Sequence, residues 1–333
     1  MFDLANIWAA LIAFAVLTYV ILDGFDLGIG ILFPFARGEE DRDVMMNSVA
    51  PVWDGNETWL VLGGGGLFAV FPLAYAVVMP ALYIPIIVML LALVFRGVAF
   101  EYRWKTKRWK HVWSVCFSAG SYVATFTQGV ALGALVQGIE VEGRAYGGGW
   151  YDWLTAFSLL TGVALVVGYA LLGATWINMK TTGPLQEANR RAAKPLALVL
   201  LALIALVSVL TPFQDAVYFD RWFNFPASAW TVLVPAILLA VSYKLFAGLR
   251  NREDVSPFLM ANALFVTCFI GIGISFYPHI VPPGLTIEEA AAPDSSLAFA
   301  LVGAGILVPI ILAYTAYAYW VFRGKIDASS GYH

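Results

Sequence analysis

Four carboxylates interrupt apolar stretches of this 333-residue chain, in two pairs of the same spacing. Asp23 and Asp26 lie in the segment YVILDGFDLG, and Asp54 and Glu57 lie in WDGNE. Residues three apart share one face of a helix, so each pair presents both carboxyl groups on one side. Ionisable side chains inside a membrane are costly, and where they occur they commonly mark ion pathways or proton relays. The pattern predicts a proton-conducting site.

One arginine, Arg96 in the segment FRGVAFEYR, interrupts the same apolar region. We expect it to converge with the four carboxylates on one side of the first three helices. A structural alternative stays open, in which the acids and Arg96 form an ion-paired clamp that fixes helix packing. Arg103 and Glu101 follow as further ion-pair candidates. Glu101 and Lys105 have the spacing of an exposed i,i+4 pair on a helix.

The composition excludes whole classes of protein. Hydrophobic residues make up 61 % and charged residues 12 %, with 19 basic and 22 acidic side chains, and the mean hydropathy is +0.79. Soluble domains are about 45–50 % apolar and about 25 % charged. A soluble enzyme, a nucleic-acid binder and a disordered chain are therefore excluded. The sequence predicts an all-α integral membrane protein, with a single polytopic domain over residues 1–333.

Nearly uncharged segments of about 20 residues are long enough to cross a bilayer. The sequence predicts nine: 6–35, 58–71, 75–95, 112–137, 154–178, 195–213, 224–243, 256–276 and 296–321. The second and third are the uncertain pair, because Pro72 interrupts a stretch without charges from Thr58 to Phe95. This stretch is either one span with a buried loop or two short spans joined by a tight turn at residues 71–74.

The distribution of basic residues favours two spans there and orients the chain. Seventeen of the 19 Lys and Arg residues fall in loops on one side, and only Arg144 and Arg221 fall on the other. Cytoplasmic loops carry the excess of Lys and Arg. The N-terminus is therefore predicted to be periplasmic and the C-terminus cytoplasmic. The acid pairs lie near the cytoplasmic boundary. With no Lys or Arg before the first apolar segment, we expect no cleaved signal peptide.

Glycines at a spacing of four predict closely packed helices. Gly24 and Gly28 lie in the first span, Gly129 and Gly133 lie in the fourth, and residues 63–66 are all glycine. Small residues at such spacing let helix backbones approach each other in a membrane.

The sequence offers few metal ligands. Cys116 and Cys268 both lie in apolar segments, where they are expected to act as small buried hydrophobic residues. The histidines are His111, His279 and His333, and none falls within a predicted span. Membrane haems are usually held by His or Met ligands. We therefore expect no haem to be held by this chain.

Five segments together resemble subunit II of the cytochrome bd ubiquinol oxidases. The first segment is similar to the cyanide-insensitive branch in particular. The resemblance runs through the whole chain in order, in residues 19–28 (YVILDGFDLG), 47–60 (NSVAPVWDGNETWL), 95–103 (FRGVAFEYR), 168–183 (GYALLGATWINMKTTG) and 276–286 (FYPHIVPPGLT).

The resemblance implies a haem-free subunit with nine spans in a bacterial inner membrane. Its partner, subunit I, carries two b-type haems, one d-type haem and the quinol site. The complex oxidises quinol at the outer side and reduces dioxygen to water with protons from the cytoplasm. The Asp of the WDGN segment, here Asp54 with Trp53 beside it, is placed at a proton entrance. A structural quinone and a small single-span accessory subunit occur in some complexes, and the sequence leaves both open here.

The expected route begins at Asp54 and Glu57, which collect protons. Asp23 and Asp26 then pass them on or tune the site, while Arg96 holds the acids in place. We expect no further titratable group deeper in these spans. Two rival functions stay open at this point: a proton-coupled secondary transporter that uses the same acids, and a purely structural scaffold for a partner subunit.

Overall fold

The computed structural model describes residues 3–326, and helices make up almost all of that range. The α-helices, in chain order, are α1 (Leu4–Leu32), α2 (Glu39–Asn47), α3 (Trp53–Val70), α4 (Pro72–Ala81), α5 (Tyr83–Lys105), α6 (Lys110–Gln137), α7 (Ala156–Lys180), α8 (Gly183–Leu210), α9 (Ala216–Phe223), α10 (Ser228–Thr231), α11 (Leu233–Arg250), α12 (Ser256–Phe276), α13 (Ile287–Ala290) and α14 (Asp294–Val321). Short 3-10 turns at Phe33–Phe35 and Thr211–Phe213 extend α1 and α8.

Two small antiparallel hairpins lie in the loops. One joins β1 (Val141–Glu142) to β2 (Ala145–Tyr146), between α6 and α7. The other joins β3 (His279–Val281) to β4 (Leu285–Thr286), after α12.

Eight helical segments of the described range are long and apolar enough to cross a membrane. They comprise α1, α5, α6, α7, α8, the α10–α11 segment, α12 and α14. The second predicted span, 58–71, falls on α3, which is not among these eight. This helix has 18 residues and is about 27 Å long at 1.5 Å per residue. Asp54 and Glu57 in its first turns, together with its glycines, lower its hydropathy. The predicted count of nine therefore depends on α3.

The segment after α3 differs from the prediction. Residues 71–74 do not form a simple turn, because Pro72 begins the separate ten-residue helix α4. Proline suits the first helical position, where its missing N–H would have no partner. The backbone leaves the helical region at Phe71 and again at Leu82. The third long helix consequently covers residues 83–105 rather than 75–95.

Helix α1 is the centre of the packing and contacts α3, α6, α7 and α14. Glycine makes the closest of these approaches possible. A Cβ atom on Gly28 would overlap the backbone oxygen of Tyr169 and lie 2.8 Å from the backbone nitrogen of Gly173 on α7. The same holds where α6 crosses α7, since a Cβ atom on Gly129 would lie 2.6 Å from the Thr161 oxygen. The predicted role of these glycines in close packing is confirmed.

The four consecutive glycines of α3 divide between two environments. A Cβ atom on Gly63 would contact Val16, and one on Gly66 would contact Ile12, both on α1. Gly64 and Gly65 have open space instead. Only half of this segment therefore serves the packing of α3 on α1.

Helix α14 lies at the edge of the bundle and attaches at its two ends. The Trp8 indole Nε1 donates to the Leu297 backbone oxygen at 3.0 Å. At the other end, the Tyr319 hydroxyl donates to Asn56 Oδ1 at 3.0 Å. Between them the large apolar side chains are exposed, with Phe299 at 84 % and Val302 at 67 %. Such a surface is typical of a helix that faces lipid or another apolar chain.

Replacing Gly28 tests the close contact between α1 and α7. Gly28→Ala places a methyl group against the α7 backbone, which cannot move aside as a side chain can. We expect a loss of about 1–3 kcal/mol, the usual cost of overpacking, seen as a lower thermal unfolding midpoint in detergent. Gly273→Ala on α12, where a Cβ atom meets open space, is the matched control. Equal midpoints for the two variants would show that the contact is not required.

Candidate functional site

Three long helices, α1, α3 and α5, meet at a buried arginine. Arg96 Nη1 on α5 lies 2.9 Å from Asp23 Oδ1 on α1 and 2.5 Å from Glu57 Oε1 on α3. The side chains of Arg96 and Asp23 are fully buried, whereas that of Glu57 is 24 % exposed. One guanidinium nitrogen therefore joins two carboxylates that are 34 residues apart in the chain. The convergence predicted from the sequence is found for these three residues.

Asp26 is held separately, through an asparagine. Asn56 Nδ2 donates to Asp26 Oδ2 at 2.7 Å and lies 3.3 Å from the Leu22 backbone oxygen. Asn56 Oδ1 accepts from Tyr319 on α14. Asp26 is fully buried, and a buried carboxylate needs such donors. Asn56 was not predicted as a site residue, although it stands between the two acids of α3.

Asp54 lies at the open end of this arrangement. Its side chain is exposed in the first turn of α3, three residues before Glu57. Trp53 beside it stacks on the Phe100 ring, with 4.7 Å between the ring centroids and 1° between the planes. The stacking fixes the start of α3 against α5. Exposure therefore decreases stepwise from Asp54 through Glu57 to Asp23.

A titratable side chain, that of Tyr19, lies deeper in α1 than Asp23, contrary to the expectation that no titratable group would. Tyr19 lies four residues before Asp23 on α1, about one helical turn away. Gln128 Nε2 on α6 donates to the Tyr19 hydroxyl at 2.7 Å. The Tyr169 hydroxyl on α7 donates to Gln128 Oε1 at 3.1 Å. We call Tyr19, Gln128 and Tyr169 the inner network.

Arg103 belongs to a different cluster from the four acids. Its Nη1 lies 2.6 Å from Asp43 and its Nη2 lies 2.9 Å from Glu39, both on α2. The Nε atom donates to Ser114 at 3.0 Å. Arg103 is fully buried, so it anchors α2 to the end of α5. The predicted ion-pair role is found, but its partners on α2 were not anticipated.

The pair of Glu101 and Lys105 has the predicted exposed geometry. Lys105 Nζ lies 3.2 Å from Glu101 Oε2, and the two side chains are 72 % and 63 % exposed, respectively. Exposed pairs of this kind contribute little to stability, typically about 0–1 kcal/mol. Glu101 therefore has no direct part in the buried cluster.

Comparisons with known proteins support one family. A family model described as cytochrome bd terminal oxidase subunit II matches residues 4–322. The chain belongs to this family. Cytochrome bd-I ubiquinol oxidase subunit 2 of Escherichia coli (strain K12) is 32 % identical, covering 96 % of this chain and 94 % of its own. Cytochrome bd ubiquinol oxidase subunit 2 of Bacillus subtilis (strain 168) is 30 % identical over 98 % of both chains.

A solved structure has the same fold. A chain in the structure of bd oxidase from Geobacillus thermodenitrificans matches with a TM-score of 0.77, covering 96 % of this chain and 99 % of that one, at 18 % identity. The protein is thus a component of an oxidoreductase complex and a multi-pass protein of the bacterial inner membrane. This assignment favours the oxidase over the secondary transporter.

Among the described residues of this bd oxidase subunit, no group of three or more His, Cys, Asp and Glu side chains could hold a metal ion. His111 is exposed at the start of α6, and His279 lies in β3 outside the membrane helices. Cys116 and Cys268 are free thiols. His333 lies outside the described residues.

Removing the charge of Arg96 tests the buried cluster. Arg96→Gln leaves Asp23 and Glu57 without their shared partner, and breaking a buried ion pair in this way costs about 3–5 kcal/mol. We expect a much lower thermal unfolding midpoint and less folded protein in the membrane. The double variant Arg96→Gln with Asp23→Asn removes both charges and should recover part of the loss. Lys105→Gln, in the exposed pair, is the control, and an equal effect there would contradict the account.

The α2 anchor predicts a dependence on acid pH. Partial burial opposes ionisation of Glu39, but the hydrogen bond from Arg42 and the charges of Arg103 and Lys110 outweigh it, so the pKa of Glu39 lies below its usual range. A lowered pKa stabilises the folded protein above the unfolded-state pKa of about 4.3, and that stabilisation is lost as the pH falls through the folded-state value.

We therefore expect Glu39→Gln to flatten the dependence of the unfolding midpoint on pH between about 5 and 3, the range in which glutamates titrate. The exposed neighbour Glu40 supplies the control variant Glu40→Gln, which should keep the wild-type slope. The same slope in wild type and Glu39→Gln would show that the α2 anchor does not depend on this charge.

Proposed function

We propose that this chain is the haem-free subunit II of a cytochrome bd-type quinol oxidase and provides a cytoplasmic entrance for protons. In this proposal, subunit I carries two b-type haems and one d-type haem, oxidises quinol and reduces dioxygen to water. The two subunits form a heterodimer in the inner membrane, surrounded by lipid.

The observation that carries the proposal is the graded burial of the acids around Arg96. Asp54 is exposed, Glu57 is partly exposed, and Asp23 and Asp26 are fully buried. A structural clamp needs only enough acids to neutralise its arginine. Here Asp23 and Glu57 contact a single guanidinium while Asp26 bonds to Asn56 instead, which leaves a formal surplus of negative charge. Such a surplus in a low-dielectric interior attracts protons.

Each residue then has a distinct part. Asp54 collects protons at the surface, and Glu57 accepts them one helical turn further in. Asp23 and Asp26 receive them in the interior. Arg96 keeps Asp23 and Glu57 close enough for transfer, since both contact the same nitrogen atom. Trp53 keeps the start of α3 in place through its stack on Phe100.

The orientation of the chain gives the entrance its energetic value. We take α3 as the ninth span, with the N-terminus periplasmic and the C-terminus cytoplasmic, so that the acids face the cytoplasm. Moving one charge across the membrane potential is worth about 2.3 kcal/mol per 100 mV. Water formation takes up four protons for each dioxygen. Drawing them from the cytoplasm, while quinol releases its protons outside, conserves energy without a separate pump.

Asp54→Asn in the assembled complex tests the entrance. We expect turnover per haem to fall about tenfold, less than the 100-fold or more typical of losing a positioned proton-transfer group, because Glu57 stays partly exposed. Turnover should recover partly at lower pH, where protons are more abundant. The measurement is oxygen consumption normalised to haem content.

Glu101→Gln is the matched control, since it removes an exposed carboxylate near the C-terminal end of α5, outside the buried cluster. It should turn over like the wild type. Normal turnover of Asp54→Asn at normal haem content would overturn the entrance role. Loss of haem together with activity would instead support the structural clamp.

A further inference from the structure

The connection between α5 and α6 lies at the membrane surface. Helix α5 ends at Lys105 and α6 begins at Lys110, so residues 106–109 alone join two helices that are long enough to span the membrane. A connection this short cannot carry its side chains far from the helix ends. Trp104 and Trp109 flank it and are 39 % and 56 % exposed, and tryptophan is enriched at the level of lipid headgroups. The basic residues of the connection are therefore held at that level.

Two cations of this connection have no acidic partner. Lys105 and Lys110, at its two ends, pair with carboxylates of the chain. Among the residues that the structure describes, Lys107 and Arg108 form no ion pair, and both side chains are exposed. The Arg108 guanidinium lies 5.6 Å from the centre of the Trp109 ring. The connection thus presents two neighbouring positive charges beside an aromatic side chain.

Another pair of exposed cations on the same side of the membrane is neutralised within the chain. Since α6 and α7 are successive spans, α8 begins on the side where α6 begins. There Arg191 and Arg252 both lie 3.1 Å from a carboxylate oxygen of Glu187, although their side chains are 76 % and 69 % exposed. These two arginines have their anion already, whereas Lys107 and Arg108 need one from outside the described chain.

An exposed apolar stripe of α6 begins next to these charges. Val112, Val115, Ala119 and Val123 are all exposed and follow one another at intervals of three or four residues, which places them on one face of the helix. At 1.5 Å per residue the stripe is about 16 Å long. One leaflet is half of a hydrocarbon core about 30 Å thick. The stripe therefore has the length of the acyl-chain region of one leaflet.

We propose that the α5–α6 connection and this stripe of α6 form a binding site for one anionic phospholipid. The lipid phosphate contacts Lys107 and Arg108, and one acyl chain lies along residues 112–123. A guanidinium donates two parallel hydrogen bonds to a phosphate, and an ammonium adds a compact charge. A zwitterionic lipid brings its own cation to this position, so the site selects a headgroup with net negative charge. The site is independent of the proton entrance.

The charges favour a lipid over an apolar protein surface. A helix of another chain packed on the same face of α6 would cover Lys107 and Arg108 without neutralising them, and burying an unpaired charge is costly. An anionic phospholipid supplies the phosphate and the apolar chain in one molecule, at the distance that the connection and the stripe set.

The test uses a phosphatidylglycerol with a photoactivatable group on its acyl chain, in phosphatidylcholine nanodiscs that contain the assembled oxidase. Mass spectrometry of the cross-linked peptides should place the label within residues 112–123. The double variant Lys107→Gln with Arg108→Gln should raise the mole fraction of phosphatidylglycerol needed for half-maximal labelling about 30-fold. Each basic residue near an anionic surface contributes about a fivefold factor. Salt at 1 M should weaken labelling, because it shortens the Debye length to about 3 Å.

The matched control is Arg191→Gln with Arg252→Gln, which removes two equally exposed charges that Glu187 neutralises. It should label like the wild type. A phosphatidylcholine probe with the same photoactivatable group should label residues 112–123 weakly and equally in every variant. Haem content confirms that each variant is assembled. If the double variant fails to assemble, Lys107→Gln and Arg108→Gln decide singly, with about a fivefold effect each.

Two results would overturn the proposal. Equal labelling by the two lipids, unchanged in the double variant, would show that this face has only the ordinary contact of a membrane helix with lipid. No label within residues 112–123 of the assembled complex would show that another protein chain covers the stripe.

Discussion

The buried guanidinium of Arg96 is the constraint on which the site depends. A cation taken out of water needs close, well-oriented anions, and here Asp23 and Glu57 meet the same nitrogen atom. Helices α1, α3 and α5 must therefore cross at one level. The desolvation cost makes such a cluster a weak source of stability. On the proposed function, its place in the interior serves proton transfer between Asp23 and Glu57.

The rest of the fold brings these helices to that crossing. Gly28 allows α1 to lie directly against α7. Helix α3 ends just before Pro72, which begins the short helix α4, so that α5 begins at Tyr83. The anchor of Arg103 on α2 then closes the same end of the bundle. The apolar helices in effect form a scaffold that fixes a few polar atoms.

Charged residues were the predictable part of the site, because a carboxylate or an arginine stands out in an apolar segment. That contrast located Asp23, Glu57 and Arg96, and the spacing of three placed each acid pair on one helix face. Neutral polar residues give no such contrast. Asn56 bonds to Asp26, and Gln128 joins two buried tyrosines, yet each has an ordinary sequence context. Their roles follow only from which helices are neighbours.

Charged residues near the helix ends were harder to interpret. An arginine in a cytoplasmic loop and an arginine buried in an ion pair look alike in sequence. Arg103 follows an apolar span as a cytoplasmic arginine would, but its partners come from the short polar helix α2.

The proposed proton entrance depends on the direction of proton flow. Its most direct test is proton uptake from the cytoplasmic side of vesicles containing the oriented oxidase, after a pulse of oxygen to the reduced enzyme. The account predicts that Glu57→Gln, with full haem content, slows this uptake while electron transfer to oxygen begins normally. Uptake at the wild-type rate would contradict it.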